Sequence, residues 1–299
     1  MSSRNAFEIS SDLTLVSIVM NCYNGDKYLR EAIDSVYAQS YGNWEIIFWD
    51  NGSTDNSASI AKSYDERLKY FFVENTTSLG EARNLALKEA NGDYVAFLDC
   101  DDVYLPDKIS IQLTEMQAKN ALLSYGGWIK INEESEEVEK YKFAAEFDNK
   151  FEQIYAKYTV PFLTLMINNN YLKENNINFD KNLKYAPDHN LVLRIAYNIP
   201  VMSIDKILAK YRVHGQALSK NRKADKYEDM EYTRRFFESI GAQEKFKNFR
   251  YFSLKSLIFM HIRDSFFEHN YKDVFLNLLD YLGLLVKKFL KRLDISNSH

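Results

Sequence analysis

The densest chemistry in the 299-residue chain is the string Phe97-Leu98-Asp99-Cys100-Asp101-Asp102, where three carboxylates fall within four positions directly after an apolar run. Such a cluster serves as a solvated turn, a cation site, or the seat of covalent chemistry on an aspartate. Two carboxylates one residue apart, Asp99 and Asp101, can both face a hard cation, and oxygen ligands favour Mg2+, Mn2+ or Ca2+ over zinc. An EF-hand loop needs a glycine and a more distant glutamate, and neither is in register. The D-x-D-x-T pattern of an aspartyl-phosphate hydrolase meets Val103 where threonine belongs. No GxGxxG, GxxxxGK[ST] or GxSxG motif is present, so dinucleotide, P-loop and serine-elbow chemistry find no support. Flanking carboxylates raise a thiol pKa, so Cys100 reads as a packing residue.

The surrounding elements place this cluster. Leu15–Met20 is a continuous, β-branched apolar run, as in a strand buried on both faces. Trp44–Trp49, Leu68–Val73 and Tyr94–Leu98 predict three more strands. Between them, Lys27–Gln39 has helical apolar spacing, Ser53–Tyr64 is entered through Ser/Thr/Asp caps, and Ser78–Ala90 stops at Asn91-Gly92. The β-α-β-α-β-α-β alternation predicts an α/β chain with a mainly parallel, Rossmann-like sheet flanked by helices. Ligands bind such sheets beyond the carboxyl ends of the strands. Three polar clusters fall there: Asn21-Cys22-Tyr23-Asn24, Asp50-Asn51-Gly52-Ser53 and Asp99–Asp102. Further along come a helix (Pro106–Lys119), a strand (Leu122–Ile131), an acidic stretch read as a solvated loop (Glu133–Lys140) and an amphipathic helix (Asp188–Asn198).

With 46% hydrophobic and 15% aromatic residues the chain can bury a large core, and 27% charged residues argue against wholesale disorder. Two cysteines, Cys22 and Cys100, make no disulfide framework, which points to a reducing compartment. The polar start MSSRNAFEISSD does not read as a signal peptide, and no apolar run of about 18 residues predicts a membrane span. A cytoplasmic location is expected. Asn221–His299 carries 15 basic and 11 acidic residues, net +4, leaving 23 basic and 31 acidic, net −8, in Met1–Lys220. An acidic body argues against nucleic acid as a partner.

Read in order, VSIVMNCYN, YLREAIDSVYAQSYGNWEIIFWDNGSTD, LGEARNLAL and GDYVAFLDCDDVYLPDKI closely resemble the family 2 glycosyltransferases, which have the GT-A fold. The resemblance runs from about Leu15 to Ser219. It implies an inverting transfer from a nucleotide-sugar donor, most simply a UDP-sugar, assisted by Mn2+ or Mg2+. By resemblance Asp101 is the direct metal ligand, and Asp99 supports the metal or the donor ribose. Asp50, Asn51, Gly52 and Ser53 match the family's D-D-G-S turn around base and ribose, with Asn51 in place of the second aspartate. Asn21 and Tyr23 match positions lining the base, and Arg83 matches a donor-side arginine. Asp188, in APDHNLVLRIA, matches the general base, with Pro187 replacing the usual glutamate. Tyr211-Arg212-Val213-His214 resembles Y-R-x-H, whose histidine joins the metal shell in many members. Asp at a helix start is also an ordinary N-cap.

These implications give a GT-A domain over residues 1–220, with a nucleotide-binding half at about 12–105 and an acceptor half at about 106–220, then a helical extension at 221–299. The stripe in Asp273–Leu293 ends in Lys287, Lys288, Lys291 and Arg292. It suits either packing on protein, including a homodimer, or docking on anionic lipid at the inner face of the cytoplasmic membrane. In the second case the acceptor is a lipid-linked saccharide, as in bacterial surface polysaccharide or lipopolysaccharide assembly. An aspartyl-phosphate hydrolase and a non-catalytic nucleotide-sugar binder are the rival readings.

Overall fold

The apolar runs become strands and the amphipathic segments between them helices. The computed structural model describes residues 14–215, 223–249 and 282–283. Its first half runs β1 (Val16–Cys22), α1 (Asp26–Tyr37), β2 (Trp44–Asp50), α2 (Ser57–Ala61), β3 (Leu68–Phe72), α3 (Leu79–Glu89) and β4 (Tyr94–Phe97). The second half adds β5 (Val103–Tyr104), α4 (Lys108–Lys119), β6 (Leu123–Ile131), β7 (Glu137–Tyr141), β8 (Glu146–Asp148), α5 (Phe151–Ala156), β9 (Met166–Asn168), α6 (Asn169–Glu174), α7 (Pro187–Asn198), β10 (Val201–Arg212), α8 (Lys223–Ser239) and α9 (Ala242–Lys245).

One ten-stranded sheet runs β3-β2-β1-β4-β9-β6-β10-β5, with β7 beside β6 and β8 beside β10. The β3-β2-β1-β4 half is parallel, with Val16 opposite both Trp44 and Tyr94. Beyond it the sheet is mixed, because β9 enters antiparallel to both β4 and β6. Val16, Ile18, Met20 and Cys22 from β1, with Ile46 and Phe48 from β2, share one core cluster with Leu29, Ile33 and Val36 of α1. On the other face Glu45 accepts hydrogen bonds from Ser17 Oγ (2.6 Å), the Asn91 N–H (2.9 Å) and Lys69 Nζ (2.5 Å). Gly92 lies so close that a Cβ there would stand 2.6 Å from the Ser17 nitrogen.

Several boundaries differ from the sequence expectation for physical reasons. The helix expected over Ser53–Tyr64 contracts to Ser57–Ala61 because its leading polar groups hold a neighbouring loop instead. Ser53 Oγ accepts from the Asn24 N–H, and Asp55 Oδ2 accepts from the Asp26 N–H. Local side-chain bonds of this kind compete with helix formation. The acidic stretch read as a loop is half strand, since Glu137–Tyr141 pairs with β6. Strand β10 was not anticipated: its charged centre, Asp205-Lys206, is exposed, and its pairing with β6 shifts register there.

The chain divides into two compact units, Met1–Lys150 with Thr159–Lys220, and Phe151–Tyr158 with Asn221–His299. In the second unit Phe151 packs 4.3 Å from the Phe246 ring and 4.9 Å from that of Phe237. Leu282 and Gly283 are helical. The rest of the expected helix Asp273–Leu293, and Ser219, lie outside the described residues. Among the described residues no helix is long and apolar enough to cross a membrane.

Candidate active site

The carboxyl ends of β1, β2 and β4 come together as the parallel register requires, and the loops leaving them bond to one another. Asn24, held at φ 51°, accepts the Thr54 N–H on its Oδ1 at 2.8 Å. Tyr23 stands 58% exposed on this rim. Asn21 Nδ2 is buried and has no hydrogen-bond partner among the described residues, which leaves a donor to be satisfied.

At the end of β2 the side chains turn inward. Asp50 is fully buried, accepting the Ser53 N–H at 2.8 Å and the Tyr70 hydroxyl at 2.7 Å. Burial, then the Asp50 carboxylate, pushes the Tyr70 phenol far up. Asn51 donates its amide to the Thr77 carbonyl (3.0 Å) and accepts from the Thr77 N–H (3.1 Å). Both residues therefore shape the turn; neither offers a free group to the cleft in this conformation.

After β4 the acidic cluster divides its labour. Asp99 turns to Arg83, whose Nη2 lies 3.3 Å from its Oδ1. The Arg83 guanidinium is buried, stacks 3.8 Å from the Phe162 ring centre, and leaves Nη1 without a hydrogen-bond partner. Removal from water raises the Asp99 pKa; Arg83 opposes the shift, and the nearby Asp101 and Asp188 charges reinforce it. Asp188, the second residue of α7, thus reaches the cluster electrostatically from a distant part of the chain. Pro187 at the helix start is the favoured N1 residue.

Asp101 faces the other way. Its Oδ2 lies 2.7 Å from His214 Nε2, just past the end of β10. Asp102 is buried, and burial, then the Asp101 and Asp99 charges, drives its pKa well up, while the Arg212 N–H bound to its Oδ1 at 2.9 Å opposes this. Cys100 meets Cys22 thiol to thiol; that hydrogen bond, then burial, raises the Cys100 pKa, while the same bond lowers the Cys22 pKa against the opposing effect of burial. A Cβ on Gly25 would stand 2.5 Å from Cys100 Sγ and 2.9 Å from Cys22 Sγ. The flanking carboxylates also raise the Cys100 pKa, but as lesser causes than the neighbouring thiol.

Asp99, Asp101, Asp188, Arg83 and His214 therefore form one neighbourhood. Asp50 and Asn51 stand behind it as support. The sequence did not single out Phe162, which backs Arg83, or Tyr28, whose ring lies 5.3 Å from that of His214. Their only signal is aromatic type, which a core residue shares. A carboxylate beside an imidazole can hold a divalent ion, and its carboxylate oxygens suit Mn2+ or Mg2+. Among the described residues no three His, Cys, Asp or Glu side chains converge on one point, so an ion held there would take further ligands from a bound molecule.

Residues 17–194 match the profile of the family described as "Glycosyl transferase family 2". An uncharacterized glycosyltransferase of Rickettsia felis is 37% identical over 205 residues, 68% of this chain and 33% of that protein. A second Rickettsia relative is matched over a similar 33%, so the chain spans about a third of the length of the first two relatives. The Escherichia coli protein WfgD, described as UDP-Glc:alpha-D-GlcNAc-diphosphoundecaprenol beta-1,3-glucosyltransferase, is 31% identical over 211 residues, 70% of this chain and 81% of that protein. Among solved structures, Staphylococcus aureus TarS 1-349 in complex with UDP-GlcNAc superposes with a TM-score of 0.61 at 22% identity, over 73% of this chain and 65% of that one. That likeness identifies the GT-A fold.

Proposed function

The chain belongs to glycosyl transferase family 2, and from that premise we propose that it transfers a sugar, with inversion, from a UDP-sugar to a saccharide or lipid-linked saccharide. Inversion in one displacement brings the acceptor hydroxyl to the anomeric carbon opposite the departing diphosphate. A base must take the hydroxyl proton as the bond forms. We assign Asp188 as that base: it is the second residue of α7, and its charge bears on Asp99.

Asp101 and His214 hold Mn2+ or Mg2+, with Asp99 in support; when bound, the ion offsets charge developing on the diphosphate. The bare Nη1 of Arg83 offers a planar, permanently charged donor to a phosphate or base oxygen. Tyr23 offers an exposed ring for stacking, and Asn21 Nδ2 a donor to a base carbonyl. Asp50 and Asn51 act through the turn they hold, or engage donor once Tyr70 and Thr77 release them.

The observation that carries the reading is the meeting of Asp101 with His214 beside Asp99 and Asp188. The UDP-Glc donor and diphosphoundecaprenol acceptor in the WfgD description support a UDP-sugar and a lipid-linked acceptor. We therefore read the reaction as part of surface polysaccharide assembly at the inner face of the cytoplasmic membrane, a reading the WfgD description supports. Thermal-shift screening of nucleotide sugars with and without Mn2+ tests the proposal. Stabilisation by UDP-sugars that depends on the metal is expected; stabilisation by none of them, with or without metal, refutes it.

A further inference from the structure

Arg212 is fully buried and engages every edge of its guanidinium. Its Nε donates to the Asp101 carbonyl at 2.9 Å, and its Nη2 to Glu31 Oε2 at 2.6 Å. Its Nη1 donates to Ser135 Oγ at 2.8 Å and to the carbonyls of Asn132 (3.2 Å) and Glu133 (3.4 Å). Its main-chain N–H holds the Asp102 carboxylate. The Tyr28 ring covers the guanidinium at 4.4 Å and then meets His214. On the far side Glu133 accepts the Gly215 N–H at 3.1 Å, next to His214.

Burying a charge is costly unless its hydrogen bonds are satisfied. A single neutral residue would tie the strand down at less cost, so the guanidinium has a more specific use. It grips the main chain of Asp101 while His214, two positions on along the same chain, meets the Asp101 side chain. The planar fork reaches three separate segments at once, which one lysine ammonium cannot do.

We propose that Arg212 is a positioning residue: it fixes the backbone of the acidic loop and the flank of His214 so that Asp101 and His214 face one divalent cation. The inference rests on the proposed cation site at Asp101 and His214. Carboxylate-to-cation geometry then depends on a residue that touches neither cation nor donor, as supporting residues of metal ligands commonly do.

The test titrates the full chain with Mn2+ in the presence of UDP, reading free Mn2+ by electron paramagnetic resonance, with metal-free UDP binding measured alongside. Arg212→Lys is expected to weaken Mn2+ binding about tenfold or more, the scale of one lost charged hydrogen bond, while metal-free UDP binding stays within about twofold. Asp101→Asn serves as the reference and should abolish the Mn2+ response. If Arg212→Lys keeps wild-type Mn2+ affinity while Asp101→Asn loses it, the positioning role is wrong and the cation site stands. If both keep it, the cation site is elsewhere and both readings fall. Should Arg212→Lys fail to fold, the double variant Glu31→Gln/Ser135→Ala removes two of the guanidinium's anchors from the exposed side. It should weaken Mn2+ about threefold or more, and unchanged affinity there overturns the proposal.

Discussion

His214 Nε2 and Asp101 Oδ2 lie 2.7 Å apart although 113 positions separate them in the chain. The antiparallel β5–β10 pairing makes this contact, since it sets Lys210 opposite Val103, directly after the acidic loop. In the proposed cation site His214 joins Asp101 as a ligand. His214→Ala should therefore raise the Mn2+ needed for half-maximal transfer by about tenfold to a hundredfold, as disturbed ligand sets do. Transfer assays across a Mn2+ series check this, and an unmoved midpoint removes His214 from the metal shell.

Asp188→Asn keeps the shape and loses the base. UDP-sugar binding with metal should stay near wild type, while transfer falls by about 10²–10⁴-fold, the range for general-base catalysis. Calorimetry of donor binding paired with product formation separates the two effects. Near-normal transfer by the folded variant would reassign the base.

Glu45 contributes to the acid limb of stability. Burial pushes its pKa up, but bonds from Lys69, Ser17 and the Asn91 N–H outweigh burial and hold it below the ordinary 4.5. A carboxyl with a lowered folded-state pKa stabilises the fold above its unfolded value, and that contribution is lost as pH falls through the folded value. Glu45→Gln should cost about 1–3 kcal/mol at pH 7 through unsatisfied buried partners. The gap between wild type and variant should narrow as pH falls below 4.5. Urea unfolding at a series of pH values measures it, and a gap that does not change with pH removes Glu45 from the acid transition.

Gly25→Ala places a methyl 2.5 Å from Cys100 Sγ. Overpacking of this kind costs about 1–3 kcal/mol. Adding Cys100→Ala should recover part of the loss, a coupling that a double-mutant cycle isolates. Melting temperatures of the four proteins suffice, and strictly additive effects would place the clash elsewhere.

The parallel half of the sheet was legible in the sequence because its strands are apolar runs, α1 keeps helical apolar spacing and α3 carries its own N-cap. Ser78 accepts the Glu81 N–H at the start of α3. The clustering of Asp99 and Asp101 on the ligand rim followed from the same alternation. Strand β9 was not legible: three residues carry no usable period. The inward turn of Asp50 and Asn51 was equally hidden, because their partners Tyr70 and Thr77 lie at tertiary distance. Arg212 stood within a quoted motif, yet nothing in its neighbours announced that each of its three guanidinium nitrogens would be bonded inside the fold.

Hydrogen bonds between Asn24 and both Ser53 and Thr54, and between Asp26 and Asp55, join the first two loops of the rim. In the proposed reading an incoming nucleotide meets loops already bonded to one another, so less configurational freedom would be surrendered on association. Such a mould would select by shape at the first encounter rather than by folding around whatever arrives. Calorimetry of nucleotide binding should therefore show a small heat-capacity change for its affinity.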